Sequence, residues 1–250
     1  MKTILRFHHV VGMGQKAESV TKYKTLFPEY YQVILFDDVS IPDADDFLYA
    51  GQVNLRVYDY DTLGKHDYIG TVAVGLQDAV VTEDPDQDIL QDPRWYELYK
   101  EAPGDSQGAL LVLVQLVPSM GRFAHKLTGK ERPAPRSIVP ASREAFIEVI
   151  AVGIRDMAPY NFQSMQAPFL EIELNSMGAK YLQITQPSKR PNPSNPNFLE
   201  KLVLPCQLPI KSIYASPLQL RARDTRLGGY LKPVVGVGII DLSKKVTRSH

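Results

Sequence analysis

Three aspartates, Asp59, Asp61 and Asp67, crowd the stretch VYDYDTLGKHDYIG from Val57 to Gly70, with Lys65 and His66 the basic residues near its tip. Carboxylates gathered on one loop repel each other unless a cation neutralises them, and oxygen ligands of this hardness suit calcium better than zinc or copper. The alternative is a polar turn whose carboxylates cap backbone amides, a common use of Asp in loops. Three acids on one loop leave a charge deficit that a cation relieves. Leu63 and Lys65 sit at the tip, where an apolar wedge and a positive charge could touch lipid.

No other residues suggest catalysis. His8 and His9 are adjacent, so on a strand they face opposite sides and share no metal. His66, His125 and His250 fall in loops or at the terminus, and no motif places a nucleophile beside them. VVGMGQKA, Val10 to Ala17, matches a dinucleotide-binding fingerprint, with Asp37 as the acid about 25 residues on. Its context is wrong: a buried parallel strand should not read RFHH, and no second βαβ unit follows. The expectation is a protein without enzymatic activity.

The elements that must position the aspartates are strands. Val53, Leu55 and Val57 alternate into the loop, and Ile69 to Val74 leads away from it. Before the midpoint the strand signals are ILRF, AESVTKY, YYQVILF, VNLRVYDY, YIGTVAV and LLVLVQL, each rich in branched or aromatic residues and bounded by Pro, Gly or Asp. Gln77 to Asp105 is acidic and carries Pro85, Pro93 and Pro103, which reads as a long exposed loop anchored at Trp95 to Leu98. Later the signals are AFIEVIAVGI, APFLEIEL, YLQITQ, FLEKLVL, LQLRARD and VVGVGIIDL.

Between the two sets, Pro118 to Arg143 mixes Pro133, Pro135 and Pro140 with Arg122, Lys126, Lys130, Arg132, Arg136 and Arg143. Such a segment cannot bury enough apolar surface to fold alone. The expected division is a domain over 1–118, a basic linker over 119–143 and a domain over 144–250. The linker is either a solvated spacer or a polybasic strip that settles on an anionic leaflet. The halves also repeat: LQLRARDTRLGGYLKPVVG corresponds to VNLRVYDYDTLGKHDYIG, and NPNFLEKLVLP to LFPEYYQVILF.

Composition sets the outer limits. With 250 residues and 44% hydrophobic content the chain can bury real cores. Lys plus Arg equals Asp plus Glu at 28 each, so no global field draws it to nucleic acid or anionic lipid, and any acidic partner must be met locally. A lone cysteine, Cys206, excludes an intramolecular disulfide and fits a reducing compartment as a buried thiol. No apolar run approaches the roughly 20 residues of a membrane-spanning helix, and Arg6, His8 and His9 interrupt any secretory segment.

The order of strand, aspartate loop, strand ending in Ile-Gly, Trp-bearing segment and Gly-led apolar strand resembles a C2 domain. More narrowly, KTLFPEYYQVILFDDVSIP, the carboxylate loop, RWYEL and GALLVLVQL resemble the central C2 domains of the ferlin family, in that order. IEVIAVGIRDM, APFLEIEL and NPNFLEKLVLP resemble the next C2 domain along a ferlin. The resemblance implies an all-β chain of two antiparallel β-sandwich C2 domains, the first lacking its N-terminal strand and the second its C-terminal strand. It implies a cytoplasmic protein peripheral to membranes, although whole ferlins are tail-anchored, that meets acidic phospholipid in calcium-regulated fusion, repair or vesicle traffic.

It also implies that the calcium ligands come from two loops. The family's first-loop aspartates would lie before Met1, leaving half a site of Asp59, Asp61 and Asp67 whose Ca²⁺ affinity falls towards about 10⁻⁴ to 10⁻³ M. In the second domain Asp224 persists, Arg226 and Lys232 take the places of Asp61 and Asp67, and Ala167 stands where an upstream aspartate is common. That domain is expected to be calcium-independent, meeting lipid by charge through Arg221, Arg223 and Arg226 or serving in packing. The competing function is a calcium-independent scaffold that binds protein partners through open sheet edges.

Overall fold

The computed structural model describes residues 2–9, 15–23, 25–36, 39–43, 46, 49–59, 66–82, 93–101, 103–118 and 138–244, and the chain divides into two units, Met1–Val139 and Pro140–His250. The basic stretch is described only from residue 138, and the second unit's first strand begins inside its expected end, at Ser142.

In the first unit the strands are β1 (Lys2–His9), β2 (Lys16–Glu18), β3 (Lys22–Tyr23), β4 (Gln52–Asp59), β5 (Asp67–Gly75), β6 (Val80–Val81), β7 (Arg94–Tyr99), β8 (Ser106–Val112) and β9 (Gln115–Leu116). One sheet runs in the order β2-β1-β4-β5-β7-β8, with β3 also on β1, and all its described pairings are antiparallel. A parallel β6–β9 pair stands apart from it. Alternation along β4 and β5 turns Val53, Leu55, Val57, Val72 and Val74 inward, where Leu76 and Leu98 join them. The strand expected over AESVTKY is split into β2 and β3, and β2 pairs antiparallel with β1 where a dinucleotide fold would need a parallel βαβ unit.

Two expectations for this unit are corrected. Tyr30 to Phe36 forms no strand, although Tyr30 and Phe36 pack against the core. Its counterpart in the second unit is a strand because a neighbour pairs with it, and no described strand pairs with 30–36. Trp95 is not the anchor of the acidic region: it is 53% exposed, whereas Leu98 is buried. On β7 the period-2 alternation sends Tyr96 and Leu98 inward and Trp95 and Glu97 outward. Gly70 permits the close approach of β7, since a Cβ there would lie 2.9 Å from Leu98 Cγ and 3.0 Å from the Tyr99 carbonyl oxygen.

The second unit has two sheets. β10 (Ser142–Gly153) pairs with β14 (Asn195–Pro209), which also pairs with the short β13 (Pro191–Asn192). The other sheet runs β12 (Ala179–Ile184), β11 (Pro168–Ser176), β15 (Leu218–Asp224), β16 (Val234–Ile240). Ile172, Leu174 and Leu218 of one sheet meet Leu202, Leu204 and Cys206 of the other, a sandwich core. Cys206 is buried, and burial raises its thiol pKa, as expected of an inert cysteine.

The repeat read from sequence is realised in pairing. The order β2-β1-β4-β5 in one unit matches β12-β11-β15-β16 in the other. Both aspartate hairpins also carry one extra residue at the same place: Ile69 lies between the pairs Val57↔Gly70 and Tyr58↔Tyr68, and Val235 between Ala222↔Gly236 and Arg223↔Val234.

Candidate functional site

In the first unit the β4–β5 hairpin brings Asp59 and Asp67 directly opposite one another. Opposed residues on antiparallel strands have Cβ atoms about 4.5–5.5 Å apart, a spacing that penalises two like charges. Asp59 is half-buried and Asp67 exposed, so the pair stands at the mouth of the loop. Below it the rings of Tyr58 and Tyr68 lie 5.5 Å apart, and the Tyr68 hydroxyl hydrogen-bonds Thr71 Oγ1 at 2.6 Å. The β-bulge at Ile69 and this aromatic pair lie beside the two aspartates in the hairpin. Asp61, Leu63 and Lys65 lie outside the described residues. Among the described residues no group of three His, Cys, Asp or Glu could hold a metal ion. Asp59 and Asp67 supply the hard oxygen donors that calcium requires, and the residues present fit that ion to this extent.

The equivalent carboxylate of the second unit is built differently. Asp224 is fully buried, and its oxygens accept hydrogen bonds from the backbone N–H groups of Gln166 (3.0 and 3.1 Å) and Ala167 (2.8 Å). Its charged partner is Arg226, whose Nε donates to Asp224 Oδ2 at 2.7 Å. Arg226 Nη1 reaches Gln163 Oε1 at 2.7 Å, and Nη2 reaches the carbonyls of Gln163 (3.3 Å) and Ser164 (3.2 Å). Ala167, which carries no ligand, contributes its N–H instead. Lys232 is not across from Asp224: the Asp224 N–H donates to the Pro233 carbonyl, and Lys232 Nζ lies 5.8 Å from the centre of the Phe169 ring.

The three arginines expected at a lipid surface are engaged within the unit. Arg226 is 5% exposed in its ion pair. Arg221 bridges Glu171 (3.1 Å) and Glu173 (2.6 Å), and Arg223 pairs with Glu171 at 2.9 Å and donates to the Lys232 carbonyl. Lys180 completes a ladder of alternating charge by pairing with Glu173 at 2.6 Å. Burial raises the Glu173 carboxyl pKa, but the hydrogen bonds from Lys180, Arg221 and Asn175 outweigh it and hold the group below its ordinary value. Sequence reasoning saw the Arg-x-Arg of β15 and missed the Glu-x-Glu of β11. The period-2 spacing of both motifs, with Glu171 in register with Arg221, is the signal that could have found the ladder.

The loop ends of the second unit expose apolar side chains that the sequence reading also passed over. Phe162 is fully exposed, Tyr230 96% and Leu227 72% exposed. Phe162 precedes Gln163 and Leu227 follows Arg226, so both flank the ion pair.

Comparison with known proteins adds lineage. Residues 9–98 match the family profile of the C2 domain. The chain is 27% identical to mouse (Mus musculus) myoferlin over 245 residues, covering 94% of the chain, and 26% identical to human (Homo sapiens) myoferlin over 240 residues, covering 92%. It spans 11% of the length of either relative. Among solved structures, a stretch of extended-synaptotagmin 2 that holds its SMP domain and two C2 domains is similar over 99% of this chain at 12% identity and a TM-score of 0.30, the chain covering 44% of it. Over most of its length the chain is similar to a C2-containing stretch of the ferlin family.

Proposed function

We propose that this ferlin-like chain is a tandem C2 module that docks on acidic phospholipid surfaces facing the cytoplasm, in membrane fusion, repair or vesicle traffic, with calcium acting through the first unit alone. The observation that carries the reading is the opposed Asp59 and Asp67 at the mouth of the β4–β5 loop. When bound there, Ca²⁺ would neutralise the carboxylates and offer open positions to a phosphate oxygen. Asp59, Asp61 and Asp67 would hold it, and Leu63 and Lys65 would meet the membrane. With ligands from one loop, affinity is expected near about 10⁻⁴ to 10⁻³ M.

For the second unit the same reading shifts from charge to apolar contact. Arg221, Arg223 and Arg226 are engaged with Glu171, Glu173 and Asp224, which leaves Phe162, Leu227 and Tyr230 to touch the interfacial layer without calcium. Aromatic side chains favour that layer because one end is apolar and the other wet.

Cosedimentation with phosphatidylserine vesicles tests the reading. The wild-type chain is expected to bind more when Ca²⁺ is added, and Asp59→Asn/Asp61→Asn to lose that increment while keeping its basal binding. Equal calcium responses in the two proteins would remove the ion from the account.

A second reading, an interaction scaffold, has its own observation. The outer face of the β10–β14 pair exposes Phe146 (77%), Ile150 (66%), Val152 (57%) and Leu199 (75%) around the Glu148–Lys201 ion pair. Apolar surface of this kind on a sheet marks interaction sites. A partner held by that face would resist both chelation and several hundred millimolar salt, whereas capture that salt abolishes would count against it.

A further inference from the structure

The Arg226 side chain is surrounded as a metal ion would be. Its four hydrogen-bond contacts are all to oxygens: Asp224 Oδ2, Gln163 Oε1 and the carbonyls of Gln163 and Ser164. They come from two chain segments far apart in sequence, the loop between β10 and β11 and the end of β15. A hard cation such as Ca²⁺ draws on this kind of donor set, a carboxylate with side-chain and backbone carbonyls from separate loops. Here the cation is covalently part of the chain. A planar guanidinium serves several oxygens at fixed angles, and Tyr160 lies 5.5 Å from it in a cation–π contact.

The backbone around the guanidinium is in conformations that need an external hold. Asn161 and Phe162 have φ of 50° and 62°, and Leu227 has φ of 49°. Bulky side chains rarely adopt this region, and such residues persist where their surroundings over-determine them. The Tyr160–Gln163 turn is closed by two backbone hydrogen bonds of 3.0 and 3.1 Å, and the Arg226–Leu231 turn by two of 2.8 and 3.3 Å. Both turns are tied to the guanidinium, one through Gln163 and the other through Arg226 itself.

We propose that Arg226 is a resident cation that fills the position an ion would take in the second unit and clamps its two end loops, so that Phe162, Leu227 and Tyr230 stand assembled at every calcium concentration. A free ion cannot compete, because the charge and the oxygens are already matched and the guanidinium is tethered to the site it fills. The inference concerns the assembly of the loops and does not depend on the membrane reading, which could fail while the clamp holds.

The test is hydrogen exchange at the Gln166 and Ala167 amides of the full chain, since both donate to the carboxylate that Arg226 neutralises. In the wild type their protection is expected to be the same with Ca²⁺ and with chelator. Arg226→Ala is expected to speed their exchange on the order of a hundredfold, as a buried carboxylate loses its counter-charge. Millimolar methylguanidinium is expected to slow exchange again in that variant and to leave the wild type unchanged. If Arg226→Ala does not fold, Arg226→Lys and Arg226→Gln take its place, with protection kept by the charged variant and lost by the neutral one. Wild-type exchange at these amides that responds to Ca²⁺, wild-type protection in Arg226→Ala, absence of rescue by methylguanidinium, or equal loss in the Lys and Gln variants would each overturn the proposal.

Discussion

At the scale of single residues, the chain handles clustered charge in two ways. At the β4–β5 loop two carboxylates oppose each other across a hairpin. In the second unit carboxylates are matched by arginines and lysines of the same domain. Glu173 shows what the matching contributes. It is 1% exposed, and its partners hold its pKa below the ordinary carboxylate value despite burial. A depressed folded-state pKa stabilises the protein above the unfolded-state value, and that stability is lost as pH falls through the folded pKa. Arg221→Met removes one partner and leaves burial acting against the charge. Because Lys180 and Asn175 still reach Glu173, the variant is expected to lose about 1.5–3 kcal/mol near neutral pH, the worth of hydrogen bonds to a charged group, and to begin unfolding in acid at a higher pH than the wild type. Urea denaturation followed across pH measures both. An unchanged acid limb would mean that Glu173 is not held by Arg221.

At the scale of elements, the hairpins were the most legible part of the sequence. Alternation at Val53, Leu55 and Val57 named β4, and LQLRARD named β15, because period 2 follows directly from strand geometry. What sequence could not supply was pairing. YYQVILF has the composition of a strand yet pairs with no described strand, whereas the corresponding FLEKLVL is a strand because β10 lies beside it. Trp95 misled for a related reason: its size suggested an anchor, but its phase on β7 is outward and Leu98 takes the inner place. The Arg221 and Arg223 side chains looked like a basic face until the register of β11 set Glu171 and Glu173 beside them. Gly70 tests the packing of β5 against β7. Gly70→Ala would set a Cβ against Leu98 and the Tyr99 backbone, and is expected to destabilise the first unit by about 1–3 kcal/mol as an overpacked site. A thermal midpoint equal to that of the wild type would show that β7 yields without strain.

At the scale of the molecule, one supersecondary unit has been used twice and its loop given two chemistries. The shared sheet order and the matching bulges at Ile69 and Val235 argue that the aspartate loop and the arginine loop are versions of one design. In the first, the ion would come from solution and report calcium. In the second, Arg226 takes the ion's place and the apolar tips Phe162, Leu227 and Tyr230 remain exposed. The proposal is a division of labour, with a calcium-responsive contact in one unit and a constant contact in the other. The C2 profile falls within the first unit, over residues 9–98, and the myoferlin alignment extends across both units.

The most direct test of that division is a Ca²⁺ titration of the fraction bound to phosphatidylserine vesicles, comparing the wild type with Asp59→Asn/Asp67→Asn and with Phe162→Ala/Tyr230→Ala. The account predicts that the aspartate variant keeps the calcium-free baseline and loses the rise with Ca²⁺. It predicts that the aromatic variant loses the baseline and keeps the rise. A calcium response that survives in the aspartate variant, or a baseline unchanged in the aromatic one, would contradict it.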